Sequence, residues 1–284
     1  PEKLKGMSST QGTTLGSSAR WAIAGVGVLG CSGLLWGSNW VQPARPVSDT
    51  PRTPVLVELF TSEGCSSCPP ADQLLILLDE QQFVAEALVI PLSEHVEYWN
   101  GLGWRDPFSA PMFTERQQEY ADVLTDGLLY TPQMVVDGQT ELIGSQRDLA
   151  QQAIAGAAVA PKAAMTLALT GGGGRNAVSV EVTISGVARL GVRSDADLWL
   201  AVTEEGLATD VRRGENANRR LPHAAVVRQL EKIETLPMPA PDRFTAVAQV
   251  ALDPDWHDGR LRLVALLQER KSRRVLGVTQ TRLE

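Results

Sequence analysis

The chain has 284 residues, of which 43% are hydrophobic and 21% are charged, and these proportions are typical of a folded globular protein. They exclude a disordered, collagen-like or coiled-coil chain. The formal net charge of −7 argues against nucleic acid as a partner, because phosphates attract clustered Lys and Arg. Three cysteines are too few for a fold held together by several disulfides. The remaining interpretation is a single pair of cysteines that is redox-active or binds a metal.

Residues 1–40 have the composition of a signal peptide or a membrane anchor. No charged residue lies between Arg20 and Arg45, and residues 21–40 are almost wholly apolar or small. If this stretch is not cleaved, about 20 apolar residues suffice to span a bilayer. Because the basic residues lie on its N-terminal side, we expect the rest of the chain beyond the inner membrane, in the periplasm or another extracytoplasmic space.

Cys31 gives this segment a further possible fate. Val28-Leu29-Gly30-Cys31 resembles a bacterial lipoprotein cleavage box, which would attach a lipid to Cys31. The alternative is a thiol buried in the membrane. Cleavage, lipidation and retention as an anchor therefore all remain open.

Residues 41–53 are expected to be a linker, and the predicted order of elements from residue 54 to residue 160 is β-α-β-α-β-β-α. The linker contains three prolines and no periodic apolar pattern. The predicted strands are 55–60, 87–92, 133–136 and 139–143, and the predicted helices are 71–82, 111–124 and 145–159. Asp137-Gly138 predicts a two-residue hairpin turn between the last two strands.

The second part of the chain, residues 162–284, is predicted to be an antiparallel β-sandwich domain. Its apolar residues alternate with period two, as in strands that expose one face. The predicted strands are 165–169, 178–184, 197–203, 244–250, 261–268 and 274–279.

Cys65-Ser66-Ser67-Cys68 lies between a predicted buried strand and a predicted helix. The helix N-terminus favours a thiolate there, so Cys65 is expected to be an exposed nucleophile and Cys68 a shielded resolving thiol. An inert structural disulfide is the alternative. Glu58, in the preceding strand, is a candidate acceptor for the proton of Cys68, unless it is a partly exposed carboxylate at a strand end.

The strand–CxxC–helix unit, the order of elements and Thr131-Pro132 together resemble thioredoxin over about residues 54–160. This resemblance implies that Pro132 is a cis-proline that faces the CSSC loop. It also implies that the backbone beside Thr131 and Pro132 pairs with an extended substrate segment. An ordinary trans proline at the start of a strand is the alternative.

A closer resemblance is to a family of bacterial secreted, thioredoxin-like proteins catalogued as domain of unknown function 1223. The segments that resemble it are FTSEGCSSCPPAD (60–72), HVEYWNGLGWRDPFSAPMFTERQQEYA (95–121), YTPQMVVDG (130–138) and RRGENANRRLPHAAVVRQL (212–230). It implies a redox-capable fold and no established activity. The family insertion includes His95, Tyr98, Trp99, Trp104, Arg105 and Asp106, which we expect near the CSSC loop unless they only pack an aromatic-rich loop.

His95 in this insertion is a candidate to stabilise a thiolate or to bind metal. A second polar segment, residues 212–220, contains four arginines with Glu215 and Asn216. It is either a solvated loop or a docking surface for an acidic partner or for the first domain.

Three functions compete. The first is a thiol–disulfide oxidoreductase that needs no cofactor and acts on protein dithiols or disulfides of the cell envelope. The second is a copper-binding protein or metallochaperone that uses Cys65, Cys68 and His95, since thiolates select Cu(I). The third is a non-catalytic interaction protein in which CSSC is a structural disulfide.

Overall fold

The computed structural model describes residues 51–172 and 176–283, which form thirteen strands, three α-helices and one 3-10 helix. The helices are α1 (Pro69–Gln81), α2 (Pro111–Leu124) and α3 (Arg147–Ala158), and the 3-10 helix is Val187–Leu190. The strands are β1 (Thr53–Thr61), β2 (Ala87–His95), β3 (Gln133–Val136), β4 (Thr140–Ile143), β5 (Ala164–Gly172), β6 (Ala177–Ser185), β7 (Ala196–Glu204), β8 (Leu207–Val211), β9 (Arg219–His223), β10 (Val226–Leu236), β11 (Arg243–Ala251), β12 (Leu261–Glu269) and β13 (Val275–Arg282).

The first seven of these elements follow the predicted order β-α-β-α-β-β-α. Strand β1 lies parallel to β2 and antiparallel to β3, and β3 and β4 form a hairpin. Asp137 and Gly138 form its turn with φ of 50° and 66°, as a type I′ turn requires of both central residues.

One eight-stranded sheet contains strands from both halves of the chain, in the order β13-β12-β7-β10-β2-β1-β3-β4. The two halves meet where β10 pairs in parallel with β2, at Val226 and Ser93. We expected two domains, at 54–160 and 162–284, with a separate sandwich. The structure instead has mixed α/β architecture with one large sheet, and Ser48–Glu284 forms a single compact unit.

The second half also contributes a three-stranded sheet in the order β11-β6-β5. Its inward side chains, among them Val180, Val182 and Ile184 of β6, pack against Leu198, Leu263 and other buried residues of β7 and β12. The strands predicted for this part are therefore present and antiparallel, but half of them extend the large sheet.

Strands β8, β9 and β10 were not predicted from the sequence. In β10 the register shifts between Val227 and Gln229 and again between Lys232 and Glu234. Each shift breaks the alternation of apolar and polar residues that reveals a strand. Strands β8 and β9 have only five residues each and form a separate two-stranded hairpin.

The two faces of β1 are covered by different helices. Val55, Val57 and Leu59 belong to a core with α1 and α3, whereas Leu56 and Phe60 belong to a core with α2. Because successive side chains of a strand point to opposite faces, each residue of β1 and β2 is assigned to one of these two environments.

The segment predicted to be a signal peptide or membrane anchor, 1–40, and Cys31 within it, lie outside the described residues, as does most of the predicted linker. Among the helices that the structure describes, none has the length and apolar character needed to cross a membrane.

Candidate functional site around the CSSC loop

Cys65 and Cys68 form a disulfide at the junction between β1 and α1, with their Cα atoms 5.4 Å apart. The loop is fixed by its own backbone: the Cys65 N–H donates to the Ser62 carbonyl, and the Cys68 N–H donates to the Cys65 carbonyl. Pro69 then begins the helix at a position where a missing N–H costs no hydrogen bond. The strand–CxxC–helix context predicted from the sequence is therefore present.

Both cysteines are fully buried, with 0% relative exposure each, whereas Ser66 and Ser67 between them are exposed. This corrects the expectation that Cys65 is exposed at the start of the helix. A distant part of the chain also covers this loop, through hydrogen bonds to the Cys65 carbonyl and the Ser66 N–H.

The cover is the loop between β8 and β9, residues 212–218, which we call the capping loop. The Asn216 Nδ2 group donates to the carbonyl oxygens of Glu63 and Cys65, at 2.9 Å each. The Ser66 N–H donates to Glu215 Oε2 at 3.0 Å. This polar segment was expected to be either a solvated loop or a docking surface. Its residues Glu215 and Asn216 dock onto the first half of the chain.

A network of buried histidines and carboxylates lies beside the CSSC loop. His95 Nδ1 is 2.7 Å from Asp106 Oδ2, and His223 Nε2 of β9 is 3.1 Å from Glu63 Oε1. The two imidazole rings have centroids 4.8 Å apart. The Trp104 Nε1–H donates to the second oxygen of Glu63, so this buried carboxylate has partners on both oxygens.

The charges of this network shift two pKa values in opposite directions. Burial alone would lower the pKa of His95, but the carboxylates of Asp106, Asp72 and Glu63 outweigh it and raise that pKa above its ordinary value. Burial alone would raise the pKa of Asp106, but His95 and two backbone N–H donors bring that pKa below its ordinary value. Both shifts favour an imidazolium–carboxylate pair.

Asp72 is a buried acid directly below the cystine. Its N–H donates to the Cys68 carbonyl as in a continuous helix, which places the two Cβ atoms about 5–6 Å apart on one helix face. The Thr61 hydroxyl donates to Asp72 Oδ1 at 2.8 Å. Burial raises the pKa of Asp72 above its ordinary value, and the nearby His223 and His95 only partly oppose this rise.

Glu58, the acid that the sequence suggested for this role, faces the other side of the sheet. It shares the face of Leu56 and Phe60, which α2 covers, while the CSSC loop continues into α1 on the opposite face. The Arg116 Nε–H donates to Glu58 Oε1 at 2.5 Å, and the Tyr120 hydroxyl donates to its other oxygen. Glu58 is fully buried and not at an exposed strand end, but it does not face Cys68.

Glu94 of β2 shares this second buried environment. Its Oε1 is 3.5 Å from Arg116 Nε, farther than Glu58 is, and neither of its oxygens has a hydrogen-bond partner among the described residues. Burial raises the pKa of Glu94 well above its ordinary value, and the neighbouring Glu58 adds to this rise. The raised pKa favours the protonated form of Glu94.

The Thr131-Pro132 peptide is cis, as the resemblance to thioredoxin implied. Pro132 lies near the first turn of α1, because a Cβ added to Gly144 would meet Ala71 Cβ at 3.1 Å and Pro132 Cβ at 3.3 Å. The Trp99 Nε1–H donates to Thr131 Oγ1 at 2.9 Å, so the insertion after β2 fixes this segment.

The remaining residues of the insertion lie at different depths. Asp106 and His95 are buried, Trp104 is half-buried, and Arg105 and Tyr98 are exposed at the surface. The expectation that the insertion lies close to CSSC describes Asp106, His95 and Trp104 well, since all three belong to the network that contains Glu63.

The copper alternative named Cys65, Cys68 and His95 as ligands. Between residues 51 and 283, apart from the three that are not described, no three His, Cys, Asp or Glu side chains are arranged to hold an ion. The Nδ1 of His95 lies against Asp106, and its Nε2 is 3.3 Å from the Ser93 hydroxyl. Cys65 and Cys68 are bonded to each other.

Sequence reasoning missed Asp72, Glu63 and His223 as members of the site, and it named Asn216 only within a polar segment that was either solvated or a docking surface. The segment 212–230 was recognised as part of the family pattern, and it contains Asn216 and His223. That family pattern was the signal available in the sequence, but nothing in the segment itself indicates that the β8–β9 hairpin contacts the CSSC loop. The hydrogen bonds between them join residues that are 149, 151 and 153 positions apart.

These features define a mixed α/β protein with a buried cystine at its first strand–helix junction and a capping loop from its second half. Residues 56–268 match the family described as protein of unknown function (DUF1223), and the chain belongs to this family. No curated protein matches the sequence significantly.

Two solved structures share the fold. A protein from Agrobacterium tumefaciens is 23% identical with a TM-score of 0.60, and the match covers 82% of this chain and 95% of that one. HBP35 of Porphyromonas gingivalis is 16% identical with a TM-score of 0.60, over 82% of this chain and 76% of that one. At these identities the likeness establishes the fold alone.

Proposed function

We propose that the protein is an exported thiol–disulfide oxidoreductase in which CSSC is the redox pair and residues 54–160 form a thioredoxin-like unit. The observation that carries the proposal is the cystine between β1 and α1, set beside buried ionisable groups. The strand order β2-β1-β3-β4, with α1 and α3 on one face and α2 on the other, supports the thioredoxin-like layout.

The chemistry is an exchange of disulfides. In the reduced protein, the Cys65 thiolate attacks one sulfur of a substrate disulfide, which forms a mixed disulfide and releases one substrate thiolate. Cys68 then gives up its proton and attacks the Cys65 sulfur, which releases the second substrate thiolate and closes the CSSC disulfide. Two electrons pass to the substrate, and an external dithiol protein returns the pair to the reduced state.

Asp72 takes the role that we first expected for Glu58. Its carboxylate is one helical turn after Cys68 and is buried on the same face, and a raised pKa suits a group that accepts a proton near neutral pH. Glu58 is bound by Arg116 on the opposite face. Pro132 lies near Ala71 of α1, and the proposal assigns the backbone beside it to an extended substrate segment.

The proposed partners are proteins with dithiols or disulfides in the cell envelope. The support is the apolar, uncharged stretch before residue 45, together with a compartment in which disulfides persist. If that stretch is retained, residues 21–40 also attach the protein to the membrane. The net charge of −7 argues against nucleic acid as a partner.

A trapping experiment tests the proposal. The Cys68→Ser protein and, as its matched control, the Cys65→Ser protein are mixed with a peptide that contains one disulfide. We expect a mixed disulfide to accumulate only in Cys68→Ser, because nothing resolves it there, and mass spectrometry should place it on Cys65. Equal alkylation of the two thiols by iodoacetamide, with no trapped species in either variant, would leave CSSC as a structural disulfide.

A further inference from the structure

The capping loop makes its hydrogen bonds to the backbone of the CSSC loop through its tip, Glu215 and Asn216. Its base is the β8–β9 hairpin, which closes at Val211 and Arg219, and Asn218 returns one further backbone hydrogen bond to Val211. Gly214, with φ of +77°, turns the tip so tightly against Trp104 that an added Cβ would lie 3.1 Å from the Trp104 Cβ.

Asn216 is the main fastening of this tip. It is fully buried, and its amide is saturated: Nδ2 donates to the carbonyls of Glu63 and Cys65, and Oδ1 accepts from the Arg219 guanidinium at 2.8 Å. Arg219 therefore fixes which way the amide points. Glu215 contributes less, because its hydrogen bond with Ser66 is exposed to water.

The atoms that the tip occupies belong to the backbone on both sides of Cys65. They are two acceptors, the carbonyls of Glu63 and Cys65, and one donor, the N–H of Ser66. The backbone of a bound polypeptide has both kinds of complementary group, N–H donors for the carbonyls and C=O acceptors for the Ser66 N–H. In the structure, the Asn216 amide and the Glu215 carboxylate make these hydrogen bonds in place of a bound chain.

We propose that Glu215 and Asn216 are an internal occupant of the polypeptide-binding edge beside Cys65, which a substrate segment displaces before it reaches the cystine. That the displacing segment is a substrate rests on the function proposed above, whereas the contact of Glu215 and Asn216 with the CSSC loop does not. Both cysteines are fully buried, and the exposed residues of the CSSC loop are its two serines, so a substrate has to uncover the cystine before it reaches the sulfur atoms.

The test uses the oxidised full chain and measures how fast dithiothreitol reduces its CSSC disulfide, by quenching with acid and counting free thiols. We expect Asn216→Ala to be reduced at least about tenfold faster than the wild type, the factor that two lost hydrogen bonds correspond to. Arg213→Ala is the matched control, because Arg213 is exposed in the same loop and makes no hydrogen bond or ion pair with the described residues.

A second variant protects the test against a change in folding. Asn216→Asp keeps the size of the side chain but turns two donors into an acceptor that faces the carbonyls of Glu63 and Cys65, so it should also be reduced faster. Thermal melting followed by circular dichroism identifies the variants that remain folded. Wild-type reduction rates in both folded Asn216 variants, or an equal acceleration in Arg213→Ala, overturn the proposal.

The same variants separate this inference from the proposed function. With a disulfide peptide as substrate, Asn216→Ala should show a lower KM than the wild type, since the internal competitor is lost. If dithiothreitol reduces Asn216→Ala faster but Cys68→Ser traps no peptide, the loop is a cover and the oxidoreductase function fails. If Cys68→Ser traps the peptide and KM and the reduction rate are unchanged, the function stands and the cover fails.

Discussion

Replacement of Glu94 by Gln should stabilise the protein at neutral pH, although Glu94 is a fully buried residue of the large sheet. Arg116 is shared by two carboxyl groups, and Glu58 is the closer at 2.5 Å against 3.5 Å. Tyr120 also donates to Glu58, whereas neither oxygen of Glu94 has a partner among the described residues. These contacts and the raised pKa of Glu94 favour its protonated form, and Gln is a neutral side chain of the same shape.

The magnitude follows from the raised pKa of Glu94. When a carboxyl group has a higher pKa in the folded state than in the unfolded state, it lowers the free energy of unfolding as the pH rises. The loss begins at the pKa of the unfolded state, here 4.5, and is complete above the pKa of the folded state. Each unit of that rise costs about 1.4 kcal/mol. We therefore expect Glu94→Gln to gain at least about 1.4 kcal/mol at pH 7.5 and nothing below pH ~4.5, where Glu94 is protonated in both states.

Urea unfolding from pH 4 to pH 8, followed by tryptophan fluorescence, measures this difference. Trp199 is a suitable reporter, because its ring centroid lies 5.5 Å from the Arg116 guanidinium. The exposed Glu86 provides the control variant Glu86→Gln, which should change stability little at any pH. A loss of stability in Glu94→Gln that is constant across this range would refute the assignment of the proton to Glu94.

Three further predictions follow from other parts of the structure. Asp72→Asn should slow the resolution of a mixed disulfide by Cys68 about 100-fold and abolish its rise with pH, as measured by quenched-flow decay of the trapped species. Asp106→Asn should cost about 1.5–3 kcal/mol, and more at pH 5.5 than at pH 8 in urea unfolding, because the raised pKa of His95 stabilises the fold below 6.5 and this contribution is lost as pH rises through the folded pKa. Gly138→Ala should lower stability by at least about 2 kcal/mol by calorimetry, since φ is +66° and the added Cβ would overlap a backbone carbonyl oxygen; a cost below 0.5 kcal/mol would contradict that geometry.

The sequence was sufficient for the elements that are governed by neighbouring residues. The hairpin at Asp137-Gly138 and the position of CSSC between a strand and a helix were predicted correctly, because turn chemistry and apolar periodicity are local properties. The helix 111–124 was predicted with the same limits that the structure has.

The sequence was insufficient where the decisive interaction joins distant segments. The addition of β10 to β2 depends on pairing at Val226 and Ser93, and the bulges of β10 conceal its alternation. The capping loop presented only a run of charged residues, and its contact with Cys65 spans 151 positions. No local pattern distinguishes such a loop from a solvated one.

The error over Glu58 shows how much the face of a strand decides. A carboxylate in a buried strand before a CxxC motif can lie on either side of the sheet, and a shift of one position reverses the side. Here Glu58 lies on the face covered by α2, where it binds Arg116. Cys65 and Cys68 lie on the other side, near Asp72 of α1 and the histidines of β2 and β9. The two buried acids, Glu58 and Asp72, therefore lie in separate environments: Glu58 is bound by Arg116 on the α2 face, and Asp72 is on the face of Cys68, which is why the proton transfer proposed above is assigned to Asp72.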